Sequence, residues 1–181
     1  VRLGPGDWVI QNAGNSAVAA ALIRIAKARG WRTANVVRRE DAAATVLRWG
    51  GDAALVDGDD LAARVEALTD GRPPMLAIDA IGGSATTRLA QAAAPGATIV
   101  NYGLLSGEAC RMEPADLIFR RQTLTGFWLG GVLGGMARAD VEGLYGRLAE
   151  DVRAGRLAVE IEAVYGIADI AAAVGHAGRA G

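Results

Sequence analysis

The chain has 181 residues, of which 51% are hydrophobic and 22% are charged, a balance typical of one globular domain and not of a disordered chain. The formal net charge of −1 gives no support to broad nucleic-acid binding. No apolar stretch reaches the length of a membrane span, and no signal-peptide pattern is present, so we expect a cytoplasmic protein. Because the sequence starts at Val1 in a linker-like segment, we expect a piece of a longer polypeptide.

Short apolar runs alternate with helix-like stretches along most of the chain, which is typical of a parallel sheet covered on both faces. Strands are predicted over residues 7–12, 33–37, 53–56, 75–79, 97–102 and 123–127. Helices are predicted between them, over residues 16–29, 41–49, 61–69 and 85–94. The predicted fold class is therefore α/β, a doubly wound six-stranded parallel sheet of the Rossmann type with strand order 3-2-1-4-5-6.

The pattern changes after residue 127. Residues 130–135 are rich in glycine and are predicted to be flexible, and a helix is predicted over 140–153. The tail alternates like a strand over 157–165 and resembles a short helix over 167–177. Neither tail segment has an obvious partner in the six-stranded sheet.

The most informative motif joins the first strand to the first helix. Residues 7–19 read Asp-Trp-Val-Ile-Gln-Asn-Ala-Gly-Asn-Ser-Ala-Val-Ala, a strand, a turn of small residues and the start of an alanine-rich helix. Asn15 and Ser16 suit a helix cap, and the small turn lets the backbone approach a phosphate. This layout indicates a dinucleotide-binding βαβ unit. A plain strand–turn–helix is the alternative, since the turn has one glycine where the usual motif has three.

Two arginines, Arg38 and Arg39, follow the second strand, where this fold meets the adenine ribose. An acidic residue there would accept a hydrogen bond from a ribose 2′-hydroxyl, whereas two cations suit a 2′-phosphate. The pair therefore favours NADP(H) over NAD(H). The alternative is a solvated surface pair, which Glu40 and Asp41 could neutralise.

Further candidates follow the later strands at the same edge. Tyr102 and Gly103 follow strand five, where glycine would permit close approach of a nicotinamide ring, and Phe127 and Trp128 end strand six as an aromatic pair. Each pair also suits simple packing. Asp79 ends strand four and is interpreted as the cap of the following turn.

The sequence offers no metal site and no convincing catalytic group. Cys110 and His176 are the only cysteine and the only histidine, which is too few for a zinc site of the usual type. Cys110 has no neighbouring base in the sequence, so we do not expect a nucleophile there, and we interpret His176 as a structural or surface residue.

These motifs resemble those of a known family. Four segments look like the cofactor domain of 2-enoyl thioester reductases. They are residues 9–18, residues 34–38, Ile99-Val100-Asn101-Tyr102-Gly103 and Leu124-Thr125-Gly126-Phe127-Trp128-Leu129. These are zinc-free enoyl-CoA and enoyl-ACP reductases of the medium-chain dehydrogenase/reductase superfamily, related to quinone oxidoreductase. The resemblance implies an NADPH-dependent oxidoreductase of fatty acid metabolism that reduces the C2=C3 double bond of trans-2-enoyl thioesters.

The resemblance also implies which residues bind the cofactor. The pyrophosphate turn corresponds to Asn15, Ser16, Ala17 and Val18, and the 2′-phosphate site to Arg38, Arg39 and Glu40. The nicotinamide surroundings correspond to Tyr102, Gly103, Leu104, Leu105, Phe127, Trp128 and Leu129. Glu40 stands where the family often has arginine.

The family has an N-terminal GroES-like domain that carries the catalytic tyrosine, so no catalytic residue is assigned to this chain. The resemblance implies an NADP(H)-binding domain over residues 1–155 and a tail over 156–181 that returns towards that catalytic domain. It also implies a homodimer formed through the edge of the sixth strand. Two other functions remain open at this point: a quinone or alkenal reductase, and a non-catalytic nucleotide-binding dimerisation module.

Overall fold

Six parallel strands form one sheet in the order β3-β2-β1-β4-β5-β6, which confirms the predicted topology. The computed structural model describes residues 1–158 and 160–178. The strands are β1 Trp8–Gln11, β2 Arg32–Val37, β3 Ala53–Val56, β4 Leu76–Asp79, β5 Thr98–Asn101 and β6 Thr123–Gly126. All six predicted strands are confirmed, with ends shifted by at most one residue. Their carboxyl ends lie along one edge of the sheet.

Eight helices accompany the sheet within the described residues. They are α1 Ala17–Ala28, α2 Ala43–Arg48, α3 Leu61–Leu68, α4 Gly83–Ala92, α5 Pro114–Ile118, α6 Leu129–Gly134, α7 Arg138–Arg153 and α8 Ile170–Ala177. Two short 3₁₀ turns, Glu40–Ala42 and Ile167–Asp169, precede α2 and α8. None of the described helices is both long and apolar enough to cross a membrane.

The core has two layers because the central strands are buried on both faces. On one face Ile10 and Val36 pack with Leu61 of α3 and Leu89 of α4. On the other face Ile23 of α1 packs with Val37 and with Val46 of α2, joined by partly buried Trp49. Successive residues of a strand point to opposite faces, so neighbouring apolar residues supply both layers.

Helix α5 was not predicted, and its role is to hold β6 against α4. The buried amide of Gln122 donates to the carbonyls of Ala90 at 2.8 Å and Ala94 at 3.0 Å, at the carboxyl end of α4. The Arg120 guanidinium donates to the Ala90 carbonyl at 3.1 Å and pairs with buried Asp116 of α5 at 2.9 Å. These side-chain donors supplement the Ala93 N–H, which also donates to the Ala90 carbonyl, at the end of α4 where backbone donors run out.

Two predictions for the last third of the chain are wrong. The glycine-rich residues 130–135, predicted to be flexible, lie mostly in α6. The Trp128 indole packs over that helix so closely that a Cβ on Gly131 would lie 2.7 Å from the ring, so glycine permits this contact. The strand predicted over 157–165 does not form at residues 157–158 or 160–165, and Val159 lies outside the described residues. An extended segment gains no ladder hydrogen bonds without a neighbouring strand.

A buried carboxylate, Asp79 at the end of β4, joins the loops at the carboxyl edge. Its Oδ1 accepts from the Asn12 amide at 2.6 Å and from the backbone N–H groups of Ile81 at 2.9 Å and Gly82 at 3.0 Å. Its Oδ2 accepts from the Thr86 hydroxyl at 2.6 Å and from the Asn101 amide at 3.1 Å. Asp79 therefore caps the following turn, as predicted, and also connects β1, α4 and β5.

The hydrogen bonds to Asp79 favour its ionised form. Burial alone raises the pKa of this carboxyl, but the donors from Thr86, Asn12 and the turn outweigh burial, and the pKa lies below its ordinary value. A lowered pKa in the folded state adds stability above the unfolded-state pKa. That stability is lost as the pH falls through the lowered pKa.

We expect Asp79→Asn to lower the free energy of unfolding by about 3 kcal/mol, because the amide cannot accept from all five donors and leaves buried groups unpaired. Urea unfolding at pH 7 measures this loss. Between pH 5 and pH 3 the variant should lose less stability than the wild-type chain, since the carboxylate contribution is already gone.

Asp151→Asn is the matched control. Asp151 pairs with Arg156 on the surface, so its substitution should change the free energy of unfolding by less than about 0.5 kcal/mol. Equal stability of wild type and Asp79→Asn at pH 7 would contradict the assigned role of Asp79.

Candidate nucleotide-binding cleft

The turn after β1 lies against the end of β2. The backbone N–H of Gly14 donates to the carbonyl of Val36 at 2.8 Å. A Cβ at Gly14 would lie 3.0 Å from that same oxygen, so glycine allows the close approach. Ala13 adopts the left-handed backbone conformation, with φ of 47°. The turn therefore places the start of α1 beside the residues that follow β2.

Helix α1 begins with a side-chain cap and carries no acidic residue in its first turn. The Ser16 hydroxyl accepts from the Ala19 N–H at 3.2 Å. The first N–H groups of a helix have no partner within it and carry the positive end of the helix dipole. Such a terminus is suited to an anion. Asn15, Ala17 and Val18 lie around this same end.

A cleft of about 680 Å³ opens along the carboxyl edge of the sheet. Five of the predicted site residues line it: Asn15, Ser16, Arg38, Arg39 and Leu105. The structure thus brings the capped start of α1 and both arginines into one cavity. Its size is within the range of small-molecule and cofactor sites.

Arg39 lies at the surface, beside two acidic residues. Arg39 pairs with Asp41 at 3.2 Å, and both side chains are exposed. Glu40 begins the 3₁₀ turn and is exposed, and it does not line the cleft in the described structure. The ion-pair partner of Arg39 is therefore Asp41. Surface pairs of this kind contribute little energy and exchange partners readily.

The loop after β5 is bound to the loop after β4. Leu105 N–H donates to the Ala80 carbonyl at 3.1 Å, and Ser106 N–H donates to the Ile81 carbonyl at 2.9 Å. Gly103 approaches so closely that a Cβ there would lie 2.5 Å from the Ala80 oxygen. Leu104 and Leu105 remain mostly exposed, each at 73%.

Tyr102 links this loop to the first turn. Burial raises the pKa of the Tyr102 phenol above its ordinary value, and the nearby Asp79 charge adds to this rise. A hydrogen bond with Ser16 acts in the opposite direction. The candidate nicotinamide side and the candidate pyrophosphate side are therefore in contact.

The remaining predicted residues lie outside the main cleft. Ala17 lines a smaller neighbouring cleft of about 410 Å³. Phe127, Trp128 and Leu129 are exposed and do not line either cleft in the described part of the chain. Val18, Tyr102, Gly103 and Leu104 are likewise absent from the cleft walls.

Sequence reasoning missed several residues of the cleft. Asp57 follows β3, and Ser84 and Arg88 lie on α4, with Ser106 and Glu108 in the loop after β5. Asp57 could have been found from its place at the end of a strand. The orientation of α4 is set by packing, so Arg88 could not be recognised in the same way.

The lone histidine lies in the tail. His176 Nδ1 is hydrogen-bonded to the Tyr165 hydroxyl at 2.6 Å, and its Nε2 lies 3.3 Å from a Glu162 oxygen. Across residues 1–158 and 160–178, no three His, Cys, Asp or Glu side chains are grouped so as to hold a metal ion.

The chain resembles both characterised enzymes and solved structures. It is 38% identical over 134 residues to the mitochondrial enoyl-[acyl-carrier-protein] reductase of Dictyostelium discoideum, covering 71% of this chain and 38% of that protein. It is also 38% identical over 133 residues to the human enzyme of that name, covering 71% of this chain and 36% of that protein. The chain thus spans less than half the length of the curated relatives it matches.

Solved structures share the fold. An NADPH:quinone reductase structure from Bacillus thuringiensis has a TM-score of 0.87 and 25% identity, covering 98% of this chain and 54% of that one. The complex of Etr1p with NADP and crotonyl-CoA has a TM-score of 0.81 and 22% identity, covering 92% of this chain and 49% of that one. The family model described as zinc-binding dehydrogenase matches residues 17–150, well over half of the chain. The chain is thus a member of the zinc-binding dehydrogenase family, whose model spans α1 and strands β2 to β6 of the sheet described above.

Proposed function

We propose that this chain is the NADP(H)-binding unit of a reductase that acts on the C2=C3 double bond of trans-2-enoyl thioesters. One observation carries the cofactor assignment: the capped start of α1 and two arginines line one cleft at the carboxyl edge of the sheet. The enoyl thioester assignment is supported by the names of the curated relatives and by the crotonyl-CoA complex of Etr1p.

The residues around the first turn suit the phosphates of a dinucleotide. Asn15, Ser16, Ala17 and Val18 present the start of α1, where backbone N–H groups and the helix dipole attract a pyrophosphate. Arg38 and Arg39 line the adjoining part of the cleft and suit the additional 2′-phosphate. Glu40 is exposed beside them and, like Asp41, adds negative charge that opposes an anion.

The opposite end of the site is assigned to the nicotinamide. Tyr102, Gly103, Leu104 and Leu105 follow β5, and Phe127, Trp128 and Leu129 follow β6 along the same sheet edge. Bound there, the cofactor would supply a hydride to the β-carbon of the enoyl thioester. Exposed Leu104 and Leu105 would exclude water from the ring, and the backbone at Gly103 would permit its close approach.

The described residues do not fit the metal that the family name implies. Cys110 and His176 are the only cysteine and histidine in the chain, and no metal-holding group forms in the described residues. Zinc sites in proteins use three or four such ligands. We therefore assign no role to zinc in this unit.

A quinone reductase is the second candidate function. The Bacillus thuringiensis structure covers 98% of this chain at 25% identity, and it carries the name NADPH:quinone reductase. Both candidates require the same NADPH unit. Reduction rates with crotonyl-CoA and with a benzoquinone, measured on the full-length protein, would separate them.

We also propose a homodimer formed through the edge of β6. Strand β6 ends the sheet, and an open edge presents unpaired backbone groups. Large apolar side chains are exposed beside it: Ile118 at 64%, Phe119 at 79% and Trp128 at 78%. The Etr1p/Etr2p heterodimer of Candida tropicalis supports paired assembly in a protein of this fold.

We expect Arg38→Ala to weaken NADPH binding by about tenfold or more, because a charge-assisted bond to the 2′-phosphate is lost. NADH affinity should change by less than about twofold, since NADH has no 2′-phosphate. Isothermal titration with both dinucleotides measures the two effects.

Arg48→Ala is the matched control, because Arg48 is an exposed arginine that pairs with Glu160 outside the main cleft. Its affinities should equal those of the wild-type chain. Unchanged NADPH affinity in Arg38→Ala would contradict the assignment of Arg38 to the 2′-phosphate. A wild-type chain that binds neither dinucleotide would contradict the cofactor proposal.

Trp128→Asp should convert the proposed dimer to a monomer, because a charge at the centre of a buried interface is unfavourable. Sedimentation velocity at micromolar concentrations measures the change. Tyr145→Asp, at an exposed position on α7, should leave the dimer intact. A monomeric wild-type chain would contradict this assembly.

A further inference from the structure

A bidentate ion pair lies in the wall of the main cleft. Asp57 follows β3, and Arg88 lies on α4. The Arg88 Nε donates to Asp57 Oδ1 at 2.7 Å, and its Nη2 donates to Oδ2 at 2.5 Å. Both side chains are mostly buried, at 22% and 24% exposed, and both line the cleft. This geometry fixes the plane of the guanidinium far better than an exposed pair would.

Three of the five N–H groups of the Arg88 guanidinium are engaged. Its Nη1 donates to the Ser84 hydroxyl at 3.1 Å, in addition to the two bonds to Asp57. The hydrogen bond to Asp57 raises the pKa of Arg88, so the group stays charged. These three bonds lie in the plane of the guanidinium, so its flat faces stay free of hydrogen bonds while the residue lines the cleft. Flat, charged arginine faces bind aromatic rings by stacking.

The position of Arg88 relative to Arg38 indicates which part of a bound dinucleotide lies against the guanidinium. Arg38 follows β2, and Asp57 follows β3, the next strand in the sheet. The apolar residues Val37, Ala42 and Ala85 line the same cleft, and Val37 directly precedes Arg38 in the chain. A ribose whose 2′-phosphate reaches Arg38 carries its base on the adjoining carbon. The base therefore falls within the part of the cleft walled by Arg88 and these apolar side chains.

We propose that the Arg88 guanidinium, held by Asp57 and Ser84, is the surface on which the adenine of the dinucleotide stacks. This inference rests on the proposed NADP(H) function and deepens it. Arg88 then acts on a part of the ligand that NADPH and NADH share. Arg38, in contrast, acts on the phosphate that distinguishes them.

The test compares Arg88→Lys with Arg64→Lys. Lysine keeps a positive charge near Asp57 but has no planar face. Arg64 is a matched control because it too pairs with an aspartate, Asp60 at 2.7 Å, yet does not line the cleft. Titrations use NADPH, NADH and the reduced nicotinamide mononucleotide, which lacks adenine, with the last followed by NMR.

We expect Arg88→Lys to weaken NADPH and NADH binding by the same factor, about tenfold, and to leave the mononucleotide unchanged. Arg64→Lys should alter none of the three. Asp57→Asn, which keeps the arginine but weakens its fixation, should give a smaller equal loss for both dinucleotides. If Arg88→Lys melts at a markedly lower temperature than the wild-type chain, the affinities of Asp57→Asn provide the test instead.

Three results would overturn the inference while the wild-type chain still binds NADPH. Unchanged dinucleotide affinities in Arg88→Lys would show that the Arg88 guanidinium does not contact the dinucleotide. A loss confined to NADPH would make Arg88 a phosphate ligand. An equal loss for the mononucleotide would show a general distortion of the cleft. A wild-type chain that binds neither dinucleotide overturns the proposed function itself, and the inference with it.

Discussion

The buried carboxylate of Asp79 is the constraint on which the arrangement of the cleft depends. A charge in the protein interior is costly unless hydrogen bonds replace its water. Here five donors converge on one side chain, and they come from β1, β5, α4 and the turn after β4. The residues that follow β1 and β4, the end of β5 and the start of α4 are thereby bound to the same pair of oxygens. The positions of these segments around the cleft therefore depend on the hydrogen bonds of the Asp79 carboxylate.

The basic residues of the cleft fall into two kinds. Arg39 is exposed and exchanges its surface partner at little cost, whereas Arg88 is fixed in a bidentate pair. A mobile cation suits an anionic group that arrives from solvent, and a fixed planar cation suits a ring that must lie in one orientation. The division of these roles follows from burial and geometry, because all three cleft arginines carry the same charge.

Much of the sheet could be predicted from the sequence. Strands that are buried on both faces are mostly apolar, so a short run such as Trp8–Gln11 stands out between polar turns. The small first turn and Arg38 could be found for the same reason, since both adjoin a recognisable strand end. These features are local in the sequence.

The features that could not be predicted depend on distant contacts. Whether Arg88 meets Asp57 is decided by how α4 packs on the sheet, and these residues are far apart in the chain. Helix α6 forms where glycines predicted flexibility, because the Trp128 ring lies against Gly131. The alternating residues of 157–165 have the pattern of a strand but no described neighbour with which to pair. A periodic pattern predicts which side of an element is apolar. It does not predict which other element packs against that side.

The contact between Trp49 and the tail has a spectroscopic consequence. The Trp49 indole N–H donates to Glu160 at 3.0 Å, which joins α2 to a segment distant in sequence. Indole emission responds to the polarity and hydrogen bonding around the ring, and Trp8 is by contrast buried in the core. The emission of Trp49 should therefore change when the tail leaves α2, which makes this indole an optical reporter of tail docking.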